Sequence, residues 1–136
     1  MSISVALQTA VFEALSNDAA VQSLVGDQIH DGVPAKARFP RVTFGPTDTQ
    51  HEDLVEIAAR TETLQLDVWS RDKGRLRECK VICDAVRSAL HLADLSLTEG
   101  ALVLVQVESL RVFQDPDGKT AHGVVTVRAE LEEAGG

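Results

Sequence analysis

Tyrosine is absent from this chain, tryptophan occurs once, and all aromatic residues together make up 4% of it. Whatever core forms must therefore be aliphatic. Cysteine is nearly as scarce. The two present, Cys79 and Cys83, cannot supply the disulfide framework that staples small secreted domains. Long apolar runs are missing too: the longest, Ala101 to Val105, is far short of the ~20 residues that cross a bilayer. Met1 to Leu15 lacks the basic lead-in of a secretory signal, and Glu13 interrupts its apolar positions. We expect a protein made in the cytoplasm, in reduced form, with no membrane partner. Positive charge is also in deficit, with 13 basic against 21 acidic side chains, a net charge of −8 and a pI near 4.9. Nonspecific binding to nucleic acid or to an anionic membrane needs a basic face, so both are disfavoured.

What is present suffices for one domain. The chain has 136 residues, of which 44% are apolar, enough for a core of its own. Leu7, Ala10, Val11, Ala14 and Leu15 have the spacing of a helix with one buried face. Asp18 can cap a second, short helix carrying Val21, Leu24 and Val25, with Gly26 as its stop. Prolines at 34, 40 and 46 then punctuate two short extended runs, Gln28–His30 and Arg41–Gly45. The stretch Thr47–Arg60 is polar and acidic, and reads as an extended loop or exposed hairpin over about 46–60.

Thr61–Ser70 alternates, with Leu64, Leu66 and Val68 on one side and Thr63, Gln65, Asp67 and Trp69 on the other. Leu76, Cys79, Cys83, Val86 and Leu90 predict a helix from Asp72 to about His91, with both thiols on its apolar face. Two long strands, about Ala101–Gln114 and Thr120–Glu132, flank Asp115-Pro116-Asp117-Gly118, a turn signature. The expected fold class is α+β: an antiparallel sheet with helices packed on one face and a closing β-hairpin. Only Ala134-Gly135-Gly136 reads as frayed.

Catalytic signatures are lacking. There is no P-loop, GxGxxG, GxSxG or HExxH, and the four histidines (His30, His51, His91, His122) stand at no metal-ligand spacing. His51-Glu52-Asp53 is a tight polar trio without convergent partners. Cys79 and Cys83 read as small buried hydrophobes. No catalytic residue, metal site or cofactor is assigned.

Two features stand out. Trp69 lies on the polar side of its strand, where either another element of the chain or a second chain must cover it. Arg71, Lys73, Arg75, Arg77 and Lys80 place five bases within ten residues of an acidic protein. With Asp72 as cap, three of them would open a helix, where the macrodipole disfavours cations, and Lys73, Arg77, Lys80 and Arg87 would share one stripe. A solvated face explains this charge. So does an acidic neighbouring subunit, with Asp48, Glu52, Asp53 and Glu56 of the acidic stretch as the complementary patch.

The order of elements carries a resemblance. A helix ending in Leu-Ser-Asn-Asp, a Val-Gly-Asp-Gln-Ile step and an Arg-Phe-Pro-Arg-Val strand come first. Leu-Gln-Leu-Asp-Val-Trp-Ser then runs into a helix, and a Phe-Gln-Asp-Pro-Asp-Gly hairpin followed by His122 closes the chain. Over about Val5 to Leu131 this resembles the tail terminator (tail completion) proteins of long-tailed bacteriophages and gene transfer agents. The resemblance implies structural work in the tail and neck of a phage-like particle. Such proteins form a ring, a homo-hexamer, that caps the tail tube and stops its growth. They join the tail to the head–tail connector or stopper protein, and DNA passes through the lumen without specific binding. Two other readings compete: a head-completion or stopper ring of the neck, and a small cytosolic enzyme or ligand-binding α+β domain with a pocket near Trp69, Asp67 and His51.

Overall fold

A computed structural model describes residues 2–53 and 57–133. Glu56 and the tail 134–136 lie outside the described residues. In chain order the elements are α1 (Ile3–Asn17), α2 (Ala19–Val25), β1 (Ile29–His30), β2 (Arg41–His51), β3 (Ala59–Ser70), α3 (Arg77–Leu90), β4 (Ala101–Gln114) and β5 (Ala121–Glu132). Among the described residues the strands form one sheet in the order β1-β2-β3-β5-β4, with three helices. The α+β class with helices against the sheet is as expected, but the sheet is mixed. β1 runs parallel to β2, through Ile29↔Val42 and His30↔Thr43, because residues 31–40 carry the chain back before β2 begins. All other pairs are antiparallel.

Local chemistry explains the first helices. The Ser2 side chain accepts from the Val5 amide, and the Asp18 side chain accepts from the Val21 amide at 3.0 Å. Gly26 stops α2 in the left-handed region, at φ 59°. Leu7, Val11 and Leu15 of α1 and Val21 of α2 are buried. They join Leu66, Val68, Ile82, Val86, Leu90, Val125 and Leu131 in one aliphatic core between the helices and one side of the sheet.

The acidic stretch is a hairpin. β2 continues through Pro46 to His51, with a register shift between Phe44 and Thr47, and pairs with β3 as far as His51↔Arg60. The shift falls where proline lacks the N–H that a ladder needs.

The third helix begins later than Asp72 implies. Residues 71–76 form a turn closed by Arg75 N–H to Asp72 C=O at 2.9 Å, with Lys73 at φ 56° and Gly74 at φ 77°. α3 starts at Arg77, and its N-cap residue Leu76 makes no side-chain capping bond. Lys73 and Arg75 therefore stand on a turn rather than on a helix, so Lys73 drops out of the expected stripe, of which Arg77, Lys80 and Arg87 remain exposed on α3. Gly74 drives the difference. A Cβ there would meet the Gly118 carbonyl oxygen at 2.6 Å, so the turn lies against the β4–β5 turn.

α3 lies on β5 at Gly123. Cys79 and Cys83 are buried free thiols there, and a Cβ on Gly123 would overlap Cys83 Sγ and lie 3.0 Å from Cys79 Sγ. Its hydrogen bond to Cys79, with burial added, pushes the Cys83 thiol far above its ordinary pKa. These are packing thiols. Gly123→Ala is expected to cost about 1–3 kcal/mol by overpacking. Cys83→Ala in the same chain should recover much of that loss, as read by urea denaturation.

Candidate functional site

Strand alternation decides what the helices leave uncovered. On β3, Leu64, Leu66 and Val68 turn into the core, so Thr63, Gln65, Asp67 and Trp69 turn to the other side of the sheet. On β5 the buried set is Ala121, Val125, Val127, Ala129 and Leu131, which sends His122, Thr126, Arg128 and Glu130 the same way as Trp69.

The register aligns a row across this helix-free face: Arg41 opposite Trp69, Trp69 opposite His122, and His122 opposite Phe113. The rings of Trp69 and His122 stack with centroids 3.8 Å apart and planes 17° from parallel, and Phe113 leans on the imidazole at 4.9 Å. Trp69 Nε1–H donates to Thr43 Oγ1 at 3.0 Å, and His122 Nε2 meets Asp67 Oδ1 at 2.7 Å. At the β2 edge, Arg41 and Arg71 both approach the Phe39 ring, at 4.2 and 4.3 Å from its centroid. Burial, and then the charge of Arg71, lower the Arg41 guanidinium from its ordinary pKa. Its Nε is shielded from solvent and has no hydrogen-bond partner among the described residues. Phe39, Trp69 and Phe113, of the chain's four Phe and one Trp, thus gather here rather than in the core.

The residues singled out by charge separate into two poles. Arg71, Lys73, Arg75 and Arg77 follow the end of β3, beside the β4–β5 turn, and Lys80 lies one turn further along α3. Arg71 donates to Thr120 Oγ1 at 3.1 Å and approaches Asp117 at 3.9 Å. Arg75 approaches Asp72 at 3.9 Å, an exposed pair of little energetic weight. Asp48, Glu52 and Asp53 lie at the opposite end, around the β2–β3 hairpin tip, where Glu62, Glu130, Glu132 and Glu133 add to them. Eleven strand steps separate the poles, roughly 36 Å, so the two patches cannot meet within one chain.

The enzyme-like trio does not converge. Asp67 is opposite Thr43 and His51 opposite Arg60, which separates them by roughly 23 Å along the strands. His51 instead approaches Glu133 at 3.6 Å. His122, Phe113, Phe39 and Arg41 lie within the runs that carry the family resemblance, but neither charge nor motif marks them as site residues. For Phe113 and His122 a signal existed, since counting back from Asp115-Pro116-Asp117-Gly118 makes them cross-strand partners. Nothing in the sequence brings Phe39 to the two arginines.

Comparison with known proteins gives a consistent picture. A family model described as tail completion protein gp17 matches residues 9–132. A chain from the virion of a native gene transfer agent particle is similar, with a TM-score of 0.89 and 27% identity over 96% of this chain and 98% of that one. The gp17 protein of bacteriophage SPP1 shares the fold, with a TM-score of 0.60 and 22% identity over 98% and 93% of the two chains. None of the curated proteins matches.

Two predictions follow from the geometry. His122→Ala removes the ring stacked on the only Trp and leaves Asp67 with Gln65 Nε2 as its remaining hydrogen-bond donor. It should cost about 1–3 kcal/mol and red-shift the tryptophan emission, and an unmoved spectrum would contradict the stack. The second concerns the turn beside the basic pole. Bonds from the Thr120 hydroxyl and from the Lys119 and Thr120 amides hold the Asp117 carboxyl down at about 2. A depressed folded-state pKa stabilises the turn above the ordinary carboxylate range, and that contribution is lost as pH falls toward 2. NMR titration of the Thr120 amide should show its midpoint near pH 2, whereas one at the ordinary carboxylate value would contradict the bonding.

Proposed function

The chain belongs to the tail completion protein gp17 family, and on that premise we propose that it works as a ring of copies capping the tail tube of a phage-like particle. The ring ends tube polymerisation and presents the surface that joins the tail to the head–tail connector, and we read it as a hexamer located at the tail–neck junction. The near-complete match to a chain of a gene transfer agent virion, at a TM-score of 0.89, carries the reading. Completing a tail is a matter of fit between surfaces, and we assign the protein no catalysis.

The surfaces support this role. A closed ring of identical subunits needs a heterologous contact, in which one patch meets a different patch on the next copy. Two oppositely charged poles on one chain, too far apart to meet internally, are suited to that. We assign Arg71, Lys73, Arg75, Arg77 and Lys80 to one side of the contact and Asp48, Glu52, Asp53 and Glu56 to the other. Trp69, with its aromatic row, is the anchor of the helix-free face. DNA moves through the lumen without specific binding: a net charge of −8 leaves its phosphates without the counterion-release attraction that a basic channel would offer.

Arg75→Glu with Arg77→Glu should leave urea stability within ~0.5 kcal/mol, as for other surface changes, and abolish assembly with the tail tube protein in a sizing assay. Normal assembly by that variant would remove the charged contact. Particle images showing this chain away from the tube–neck junction, or tubes of normal length made without it, would overturn the ring reading itself.

A further inference from the structure

At the acidic pole an open groove of about 200 Å³ runs between the β2–β3 hairpin and strand β4. Its apolar lining includes Ile57 and Val103, which are 44% and 59% exposed, and Glu52, Arg60, Glu130 and Glu132 line it as well, three carboxylates to one guanidinium. Val103 is there because of a bulge. The β4–β5 register shifts between Leu102 and Leu104, leaving Val103 without a cross-strand partner, and bulges re-aim side chains in this way. The local cations are largely spent: Arg60 is engaged by Glu62 and Glu133, and Arg128 lies by Glu130 and Glu108. Among the described residues Glu132 makes no ion pair. An apolar floor with a surplus of carboxylates suits a long basic side chain, whose methylene stem packs while its charged end pairs.

Such a side chain is displayed at the other pole. Lys73 is exposed at the apex of its turn in the left-handed region, at φ 56°, which a non-glycine residue adopts only where its surroundings impose it. Here they do. Gln114 Nε2–H donates to the carbonyl oxygens of both Gly74 and Gly118, at 3.3 and 3.4 Å, and Gly74 has no room for a Cβ. Lys73 makes no ion pair among the described residues, so a preset turn holds an unneutralised cation out from the surface.

We infer that the groove at the acidic pole receives the Lys73 turn of a second copy of this chain. The lysine stem lies along Ile57 and Val103, and its ammonium sits between Glu130 and Glu132. This rests on the ring reading and deepens it, replacing a general charge attraction by a defined plug and socket. Charge complementarity selects a protein copy over nucleic acid, because a carboxylate-lined groove repels phosphate.

The test mixes Lys73→Cys and Val103→Cys variants with the tail tube protein and a short bis-maleimide, the native thiols being buried. The expected result is a cross-linked pair that forms only when both variants are present. Lys73→Glu and Glu132→Lys should each weaken assembly by about tenfold or more, and the two together in one chain should restore it. Assembly without the cross-link, and indifferent to Lys73→Glu, would overturn the plug and socket while sparing the ring. Failure of the unaltered chain to assemble on tubes would overturn both. If Lys73→Glu abolished retention of double-stranded DNA but not assembly, the turn would be a nucleic-acid contact and the inference would fail.

Discussion

The approach of helix α3 to strand β5 at Gly123 is the contact on which the rest of this structure depends. Two thiols fill the space that a Cβ would need, so the helix sits flat on the sheet and the aliphatic residues of β3 and β5 close around it. With few aromatics to spend, the core gains its density from Leu, Val, Ile and Cys side chains packed in number. A cushion this close on one side leaves the other side of the sheet to be finished differently.

That other side is polar but not featureless. Each long strand serves two purposes through a two-residue period: β3 buries Leu64, Leu66 and Val68 while offering Thr63, Gln65, Asp67 and Trp69 outward. The rings that the core does without are stacked on this face, where flat, stiff side chains cost little entropy when a partner covers them. Polarity also changes along the strands, from guanidinium and aromatic groups near Trp69 to carboxylates near Glu130 and Glu132. A subunit with different ends suits head-to-tail contact with its own copies, and a ring is the closed form of such contact.

The likeness to tail completion proteins rests on the same features. At 27% identity and a TM-score of 0.89, a shared backbone is specified chiefly by which positions are apolar and where the turns fall, since volume and patterning suffice to select a fold. Asp67 and His122 form a close pair, in which the imidazole stacks on the Trp69 indole and the carboxylate fixes the imidazole.

Periodicity and turn chemistry were enough to read α1, α2, the body of α3, the closing hairpin and the sidedness of β3, because each is set by neighbours within a few residues. Charge counting likewise marked both ends of the molecule from the chain alone. Three things lay beyond it. The late start of α3 depends on Gly74 meeting Gly118, forty-four positions away in the chain. The acidic stretch fits a loop as well as a hairpin on local pattern alone, because its residues pair across a bulge and face water, which removes the apolar signal. The row from Arg41 through Trp69 and His122 to Phe113 arises only when four strands adopt one register. Such proximity is a property of hydrogen-bonded ladders between distant segments, and no local pattern of residues encodes it.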